Sequence, residues 1–280
     1  MSRSRDIDQT PRTRESLSND LRELGLATGD SVIVHSSLSS LGYVDGGAAT
    51  VIKALMDVIT LDGAIVMPTQ TTQLRHPTLA IEPVTDPDEV ENQLNEMPVF
   101  DPSITPTARM GTMPELFRTL PGVVRADHPL YSFAAWSRSG AEIAGTQRLK
   151  MSLGKGSALD HLYRRDGKIL LLGVEFIRCT TFHHAEYSVD ATQTTRPLAP
   201  VPTNAGRDAI EWQPVEEICF MDDDTITRLG VAFESERGVM TGPVGSAEAR
   251  LFSVREAVDY GVEWLTREYT ANRVTTNCRD

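Results

Sequence analysis

Apolar positions in the first part of the chain alternate between helical spacing and short unbroken runs. Leu17, Leu21 and Leu24 recur on one face of a helix for which Thr13 is a suitable N-cap. A β-branched run follows this helix and is typical of a buried strand. The same order then repeats, which predicts a parallel or mixed sheet covered by helices. The pattern predicts helices at residues 13–25 and 46–60 and strands at residues 31–37 and 64–69.

The pattern lapses between Gln70 and Met110, where prolines recur and no periodicity is sustained. A long irregular stretch inside a compact domain is usually a functional or a disordered loop, and we expect one over residues 70–110. Periodicity returns with the sequence TMPELFRTL, in which Thr112 and Glu115 have the spacing of a capping box. These two residues therefore predict the start of a further helix.

The second half of the chain is again regular. Ser157 is placed to open a helix, and a strong apolar run follows the turn at Asp166 and Gly167. Near the end of the chain, Ser253 and Glu256 have capping-box spacing before a long amphipathic segment. The pattern predicts a helix at residues 157–165 and a strand at residues 168–174. It also predicts a hairpin at residues 197–218 and a final helix at residues 253–269.

Together these elements predict an α/β protein with a single domain, in which helices cover both faces of a central mixed β-sheet. The chain shows no internal repeat and no linker, so we assign residues 13–270 to this domain. Residues 1–12 are polar and are expected to form a mobile N-terminal tail. Residues 271–280 are expected to form a C-terminal tail.

Composition narrows the class of protein. Of the 280 residues, 40% are hydrophobic and 24% are charged, as in ordinary soluble proteins. No apolar run is long enough for a membrane span or a signal peptide, so we expect a cytoplasmic protein without membrane contact. The three cysteines, Cys179, Cys219 and Cys278, are odd in number and form no CxxC pair. This spacing predicts neither a disulfide framework nor a structural zinc site.

The net charge of −12 bears on the choice of partner. Phosphate backbones would be repelled by such a protein, which argues against nucleic acid. The same acidity either maintains solubility or helps to hold a polycationic substrate. Charge alone does not distinguish these two interpretations.

Residues 180–187, with the sequence TTFHHAEY, place two histidines and a glutamate directly after a predicted strand. On a helix that starts near Thr180, His183 and Glu186 are i, i+3 neighbours, whereas His184 points roughly a quarter turn away. A carboxylate at that spacing can accept the imidazole N–H, which leaves the other ring nitrogen as a proton acceptor. The carboxyl end of a strand is also where open α/β sheets bind ligands. One interpretation is therefore a catalytic base with its orienting partner.

Three other interpretations of this motif stay open. A metal site is one, although the HHxE order lacks the HExxH register. A nucleophilic Cys179 paired with His183 is another, because a helix N-terminus lowers the pKa of a thiol. The third is a helix start whose histidines only satisfy local hydrogen bonds. A structural role is favoured for the remaining histidines, which are His35, His76, His128 and His161.

A segment of small residues joins the first predicted strand to the next helix. Its sequence, SSLSSLGYVDGG at residues 36–47, allows a backbone to approach a ligand, and the helix N-terminus that follows favours phosphate. The segment contains neither GxGxxG nor GxxxxGK[ST], so a dinucleotide or a nucleoside triphosphate bound in the usual manner is not indicated. The alternative is a tight turn between a strand and a helix.

Motifs spread over residues 13–269 together resemble one protein family. In chain order they are VHSSLSSLG, DGG, VMPT, FDP, HPLYSFAA, KGSALDHL, DGKILLLGV, TxHxAE and GPVGSAEARLF. This order is similar to that of the aminoglycoside 3-N-acetyltransferases, also called antibiotic N-acetyltransferases. The most specific part of the resemblance is TxHxAE placed after DGKxLLLG.

The resemblance implies transfer of an acetyl group from acetyl-CoA to the 3-amino group of a 2-deoxystreptamine ring, which inactivates an aminoglycoside antibiotic. It implies that His183 is the general base, oriented by Glu186, in a direct transfer without a metal. The hydroxyl of Thr180 or Thr181, or a backbone N–H at this helix start, is the expected donor to the developing oxyanion. The residues expected to bind acetyl-CoA are His35, Ser36, Ser37, Leu38, Ser39, Ser40 and Ser157. The residues expected to contact the aminoglycoside are Gln70, Glu217, Asp222, Asp223 and Asp224.

Some of these expectations have alternatives. The three consecutive aspartates also suit a helix N-terminus, where carboxylates are favoured. Cys179 and His184 depart from the residues usual in the family, which leaves an acetyltransferase for a different amine open. A non-catalytic binder of cationic drugs and a zinc hydrolase are further alternatives. The oligomeric state is expected to be a monomer or a homodimer.

Overall fold

The computed structural model describes residues 11–80, 82–144, 147–189, 194–203, 206–271 and 273–276. The strands are β1 (Ser31–Ser36), β2 (Ala64–Pro68), β3 (Val123–Arg125), β4 (Phe133–Trp136), β5 (Lys168–Leu172), β6 (Thr194–Thr195), β7 (Leu198–Thr203), β8 (Gly206–Pro214), β9 (Glu217–Ile218), β10 (Met240–Val244) and β11 (Ala247–Ser253). The α-helices are α1 (Arg14–Glu23), α2 (Gly47–Ile59), α3 (Pro87–Glu96), α4 (Thr112–Phe117), α5 (Gly140–Ala144), α6 (Ala158–Arg164), α7 (Thr181–Glu186), α8 (Asp223–Arg237) and α9 (Val254–Thr270). Short 3₁₀-helices lie at Leu38–Leu41, Thr72–Leu74, Pro77–Leu79 and Phe176–Arg178.

Seven of these strands form one mixed sheet in the order β10-β11-β5-β1-β2-β4-β3. β1 lies between β5 and β2 and runs parallel to both, so the carboxyl ends of these three strands meet at one edge of the sheet. The outer strands pair antiparallel with their neighbours. Smaller two-stranded sheets pair β6 with β9 and β7 with β8.

The central strands separate two hydrophobic cores, because successive side chains of a strand point to opposite faces. Ile33 and Leu171 belong to one core, Val34 and Leu170 belong to the other, and all four are fully buried. Helices α6 to α9 contribute to the first core, and α1, α2 and α4 contribute to the second. The predicted mixed sheet with helices on both faces is confirmed.

Polar caps begin several helices at the predicted residues. Thr13 accepts a hydrogen bond from the Ser16 N–H at the start of α1, and Ser157 accepts one from Asp160 at the start of α6. Ser253 likewise caps α9 through the Glu256 N–H. The predicted hairpin is confirmed as β7 and β8, although its turn at residues 204–205 lies outside the described residues.

Residues 70–110 are more regular than the sequence pattern suggested. They contain α3, in which Asp86 is the N-cap and Pro87 takes the first helical position. This helix fully buries none of its residues, and Val90 and Leu94 are its only apolar side chains besides Pro87, which is too short a stripe for a periodicity search to detect. The expectation of an irregular segment throughout is therefore wrong for residues 87–96.

The predicted capping box at Thr112 is also wrong. Gly111 is the N-cap of α4, and Thr112 is the first helical residue. Glu115 instead accepts a hydrogen bond from the Thr107 N–H at 2.7 Å and forms an ion pair with Arg118. The carboxylate thus fastens the preceding loop to the helix.

Both predicted tails are partly attached to the rest of the fold. Residues 1–10 and 277–280 lie outside the described residues. The Arg12 N–H donates to the Tyr43 carbonyl at 2.8 Å, and the Asp222 N–H donates to the Thr275 carbonyl at 3.0 Å. Arg12 and Thr275 are therefore hydrogen-bonded parts of the structure.

The structure bears on two expectations drawn from composition, one about disulfides and one about membrane spans. Cysteine spacing predicted no disulfide framework, and Cys219 is nevertheless disulfide-bonded. A search for CxxC pairs detects only neighbours in sequence, so it carries no information about bonds formed across a fold. Cys179 is a free, buried thiol. None of the described helices has the length and apolar composition that crossing a bilayer requires.

Candidate active site

A cavity of about 840 Å³ opens where the carboxyl ends of β1, β2 and β5 meet. The ends of these strands and the segments that follow them line it: His35 to Ser39 at and after the end of β1, Pro68 and Gln70 at and after the end of β2, and Val174 after β5. The start of α7 contributes Thr180 and His183. The topology therefore brings together segments far apart in sequence at the ligand-binding edge of an α/β sheet.

His183 and Glu186 form the predicted pair on α7. The His183 Nδ1 atom lies 2.6 Å from Glu186 Oε2. A carboxylate only accepts hydrogen bonds, so Nδ1 carries the proton and Nε2 is the free acceptor. The Glu186 side chain is fully buried, whereas 17% of the His183 side chain is exposed. The pair thus has a buried anchor and a ring that faces the cavity.

The Glu186 carboxylate and the His183 ring are each held by neighbouring groups. Glu186 Oε1 accepts the Met221 N–H at 2.6 Å, which ties α7 to the chain before α8. The His183 ring packs on Phe220, with 4.5 Å between the ring centroids. Phe220 also contacts Tyr131 edge to face at 5.9 Å, and both aromatic residues line the cavity.

The serine segment, residues 36–40, lines one side of the cavity. The Ser37 N–H donates to the Leu172 carbonyl at 3.0 Å, and Ser40 Oγ donates to the Gly173 carbonyl at 3.0 Å. Gly173 has a φ of +68°, and a Cβ there would lie 2.6 Å from Ser40 Cβ. Glycine is therefore required for the close approach of the two loops. Ser36 and Ser39 reach the cavity, whereas Ser40 lies behind its lining.

His35 and Ser36 present buried polar atoms at this wall. His35 Nε2 and Ser36 Oγ have no hydrogen-bond partner within the described part of the chain. Burial lowers the pKa of His35 to about 3, so its imidazole is neutral at physiological pH. Buried polar atoms without partners are uncommon, and a bound ligand can satisfy them.

The two threonines at the start of α7 have different surroundings. Thr180 lines the cavity, whereas Thr181 is fully buried and is absent from the lining. Cys179, directly before them, is also buried, and burial raises the pKa of its thiol to about 12. A thiol with that pKa stays protonated at neutral pH, which contradicts the alternative of a Cys179 nucleophile.

Several histidines have structural partners. His184 Nδ1 donates to the Leu153 carbonyl at 2.7 Å, and its ring packs on Tyr163. His128 Nδ1 accepts the Leu130 and Tyr131 N–H groups at 3.1 and 2.9 Å and so closes a turn. Among the described residues no cluster of three or more His, Cys, Asp or Glu is arranged to hold a metal ion.

The remaining predicted binding residues divide between the cavity and other places. Gln70 lines the cavity, whereas Ser157 is buried as the N-cap of α6 and does not reach it. Glu217 is buried, accepts the Ser152 and Ile218 N–H groups, and also lies outside the lining.

The aspartate cluster lies at the N-terminus of α8, outside the cavity lining. Asp222 is the N-cap of this helix, and its carboxylate also accepts the Thr275 hydroxyl. Asp224 forms an ion pair with Arg228 at 2.9 Å. The helix-start interpretation therefore accounts for Asp222 as the N-cap and for Asp223 as the first residue of the helix. Asp224 is paired with Arg228 of the same helix. The structure gives no support to substrate contact by these three carboxylates.

Sequence reasoning missed the charged lining of the cavity. Arg75, Arg109 and Arg178 line it, and the described lining residues include no aspartate or glutamate. Arg75 and Arg109 lie in the proline-rich stretch where no local pattern marks a site. The lining therefore has the opposite charge to the protein as a whole.

Comparisons with known proteins identify relatives over nearly the whole chain. The family model described as aminoglycoside 3-N-acetyltransferase matches residues 33–266. The SPbeta prophage-derived aminoglycoside N(3')-acetyltransferase-like protein YokD of Bacillus subtilis (strain 168) is 42% identical over 264 residues, which cover 94% of this chain and 95% of YokD. The crystal structure of YokD matches with a TM-score of 0.88 at 40% identity, covering 93% of this chain and 96% of that one.

More distant relatives have the same extent. Aminoglycoside N(3)-acetyltransferase VIII of Streptomyces fradiae is 31% identical over 272 residues, which cover 91% of this chain and 92% of that protein. The structure of AAC-IIIb in a binary complex with CoASH matches with a TM-score of 0.82 at 27% identity. It covers 92% of this chain and 98% of the AAC-IIIb chain. The match therefore extends over the strand edge and the helix that carry the cavity.

Proposed function

The chain belongs to the aminoglycoside 3-N-acetyltransferase family and is an acyltransferase, and we propose that it transfers the acetyl group of acetyl-CoA to a primary amine, with His183 as general base. The observation that carries this proposal is the His183–Glu186 pair, which faces the same cavity as the serine segment. The base and the thioester site are therefore adjacent to a common space. Direct transfer between two bound substrates needs that arrangement.

The residues of the cavity suit acetyl-CoA chemically. CoA carries phosphates and a pantetheine arm with amide groups, so it needs cationic groups and hydrogen-bonding partners. The lining supplies Arg178, the hydroxyl of Ser39, and the unpartnered atoms of His35 and Ser36. A relative has been solved with CoASH, which supports the same ligand here.

The proton path follows from the ring geometry of His183. Because Glu186 holds Nδ1–H, Nε2 is the atom that takes a proton from the acceptor amine as its nitrogen attacks the thioester carbonyl. The attack forms the C–N bond and a tetrahedral oxyanion. When the C–S bond breaks, the thiolate of CoA leaves and accepts the proton that Nε2 took from the amine. The histidine is thereby restored to its starting state, and the buried carboxylate stabilises the transient imidazolium.

The developing oxyanion needs hydrogen-bond donors near the thioester. Of the two threonines expected in this role, Thr180 lines the cavity beside His183, and it is the donor that we assign. Thr181 is fully buried outside the lining, and we assign it to the packing of α7. Each such donor contributes roughly 10²- to 10³-fold to the rate in enzymes where one has been removed.

The identity of the acceptor amine has two candidates. The names of the relatives indicate an aminoglycoside, and its 3-amino group is the acceptor expected from the family resemblance. The second candidate is an amine on a different molecule. One observation favours it: the described lining contains three arginines and no carboxylate that would pair with a polycationic drug.

The test is acceptor-dependent release of the CoA thiol. Purified protein and acetyl-CoA are mixed with gentamicin, kanamycin, apramycin, amino sugars, amino acids or no acceptor, and mass spectrometry identifies the N-acetylated product. The proposal predicts thiol release that requires an amine and yields an amide. Drug binding without any thiol release would support the non-catalytic binder and contradict acetyl transfer.

A further inference from the structure

Arg75 is the one arginine of the described lining that has a buried donor without a hydrogen-bond partner. Its side chain is half-buried, and its Nε–H is buried without a hydrogen-bond partner. One terminal nitrogen donates to the Tyr131 hydroxyl, and the guanidinium lies 5.6 Å from the centroid of the Tyr131 ring. None of the ion pairs found among the described residues includes Arg75. Buried guanidinium donors normally find a partner.

A chain of aromatic rings connects Arg75 to the proposed base. Tyr131, under the guanidinium, contacts Phe220 at 5.9 Å, and Phe220 contacts His183 at 4.5 Å. All four side chains line one cavity. A molecule that presents an amine to His183 can therefore extend its other end to Arg75.

Arg75 and Arg178 lie after different strands. Arg178 follows β5, whose end is hydrogen-bonded to the serine segment through the Leu172 carbonyl. Arg75 follows β2, on the opposite side of β1 from β5. We therefore assign Arg178 to the side of the cavity that binds CoA, and Arg75 to the side that receives the acceptor.

Resting on the proposed acetyl transfer, we infer that the acceptor is an amine that also carries an anionic oxygen group, a carboxylate or a phosphate, and that Arg75 binds this group. The planar guanidinium has donors besides the one bound to Tyr131, and guanidinium donors match the paired oxygens of carboxylates and phosphates. Tyr131 holds the guanidinium in place for such a contact.

The same geometry disfavours a polycationic acceptor. An aminoglycoside would bring several ammonium groups towards Arg75 and Arg109, and like charges in a confined site oppose binding. The acidic residues expected to compensate, Asp222, Asp223, Asp224 and Glu217, are not in the lining. The carboxylates that give the chain its net charge of −12 are thus absent from the described lining.

The first test measures binding to wild-type protein saturated with CoA, so that the sites for CoA phosphates are filled. Isothermal titration compares glucosamine 6-phosphate with glucosamine, γ-aminobutyrate with butylamine, and kanamycin alone. Each pair shares its amine and differs in the anion, and the two pairs distinguish phosphate from carboxylate. We expect the anionic member of at least one pair to bind roughly tenfold tighter or more than its neutral partner and than kanamycin.

Three variants test the role of Arg75. Arg75→Gln should remove the preference for the anionic ligand without changing the affinity for CoA, and Arg75→Lys should retain part of the preference. Arg178→Gln is the matched control on the CoA side and should weaken CoA binding while the preference between paired ligands persists. Circular dichroism and melting temperature establish that each variant is folded.

Three sets of results would overturn the inference. An anionic acceptor is contradicted by equal binding within both pairs, by no binding of either anionic probe, or by tighter binding of kanamycin. In those cases, thiol release with some amine would leave the proposed acetyl transfer intact. Loss of CoA affinity in Arg75→Gln with no change in acceptor binding would assign Arg75 to CoA instead. If anionic ligands bind as expected but no amine elicits thiol release, the proposed acetyl transfer fails, and the acceptor role of Arg75 fails with it.

Discussion

His183 is fixed at its Nδ1 atom and on one face of its ring. Glu186 accepts the Nδ1–H at 2.6 Å, and the Phe220 ring packs on the imidazole at 4.5 Å between centroids. The buried carboxylate is itself held by the Met221 N–H. A base positioned in this way loses little conformational freedom when a substrate arrives, which is a requirement for efficient proton transfer.

The first prediction concerns Glu186→Gln. The amide keeps the size of the side chain and can still accept the Met221 N–H, but it no longer offers a negative charge to an imidazolium. We expect kcat to fall by about 100-fold or more, with a smaller change in the KM for acetyl-CoA. Steady-state thiol release measures both constants.

Glu217→Gln is the matched control for this prediction. Glu217 is a buried carboxylate that binds the Tyr187 hydroxyl and two backbone N–H groups, outside the cavity lining. Its replacement should lower the melting temperature and spare kcat. A Glu186→Gln enzyme as active as wild type would show that this carboxylate is only structural.

At the residue scale, sequence reasoning succeeded where chemistry depends on local spacing. The contact of His183 with Glu186 follows from i, i+3 geometry on a helix, and the structure contains it. Arg75, Tyr131 and Phe220 come from three separate segments, and only the fold brings them to one cavity. A single sequence has no signal for such a convergence.

The element that carries the proposed base, α7, has only six residues. A helix this short is not stable alone, so its position depends on packing against its neighbours. Gly261 of α9 provides that contact: a Cβ there would lie 2.9 Å from Ala185 Cβ. Gly230 of α8 likewise admits Phe176, in the 3₁₀-helix just before α7.

The second prediction concerns Gly230→Ala. A Cβ at this position would lie 2.2 Å from Phe176 Cγ, and that ring is buried and unable to withdraw. We expect a loss of about 1–3 kcal/mol in the free energy of unfolding, although alanine favours helices, and a lower kcat because the turn before α7 is displaced. Urea unfolding and thiol release measure these two effects.

Val231→Ala serves as the control on the same helix. Its side chain is 56% exposed, so the substitution should change neither stability nor kcat appreciably. Should Gly230→Ala prove as stable and active as this control, the tight packing between α8 and Phe176 would be refuted.

At the element scale, the sequence predicted the elements that have an apolar stripe or an unbroken apolar run. β1, β5 and α9 belong to this group, and each is present near its predicted bounds. α3 was missed because none of its residues is buried. The prediction of a capping box at Thr112 was wrong because the Glu115 carboxylate accepts the Thr107 N–H of the preceding loop instead.

Across the whole molecule, buried neutral histidines make stability depend on pH. Burial lowers the pKa of His35 to about 3 and that of His128 to about 4, both below the ordinary value of 6.5. Below pH 6.5 the unfolded chain binds protons that the folded chain does not. The free energy of unfolding is therefore greatest above pH 6.5 and falls as the pH drops towards 4.

The third prediction gives this dependence a magnitude. Each of these histidines contributes a slope of about 1.4 kcal/mol per pH unit well below pH 6.5, and His128→Asn should reduce the total slope by about that amount. Asparagine retains an acceptor for the Leu130 and Tyr131 N–H groups but does not titrate. Denaturant unfolding between pH 6.5 and 5 measures the slope, and an unchanged slope in the variant would contradict the neutral, buried state of His128.

Bulk charge was the least informative sequence property for the site. An excess of acidic residues fitted either solubility or a polycationic substrate, and the described cavity lining carries arginines and no carboxylate. Net charge sums over the whole surface, whereas binding depends on the few groups that face a ligand. The fold class was predictable because the order of strands and helices restricts the possible architectures.

The most direct test of the central claim is the kcat of His183→Ala for thiol release, measured with an active acceptor and with CoA affinity determined in parallel. We expect kcat to fall by about 100- to 10,000-fold while CoA affinity is unchanged. His161→Ala, outside the cavity lining, should retain wild-type kcat. A His183→Ala protein that binds CoA and turns over at the wild-type rate would contradict a catalytic base at His183.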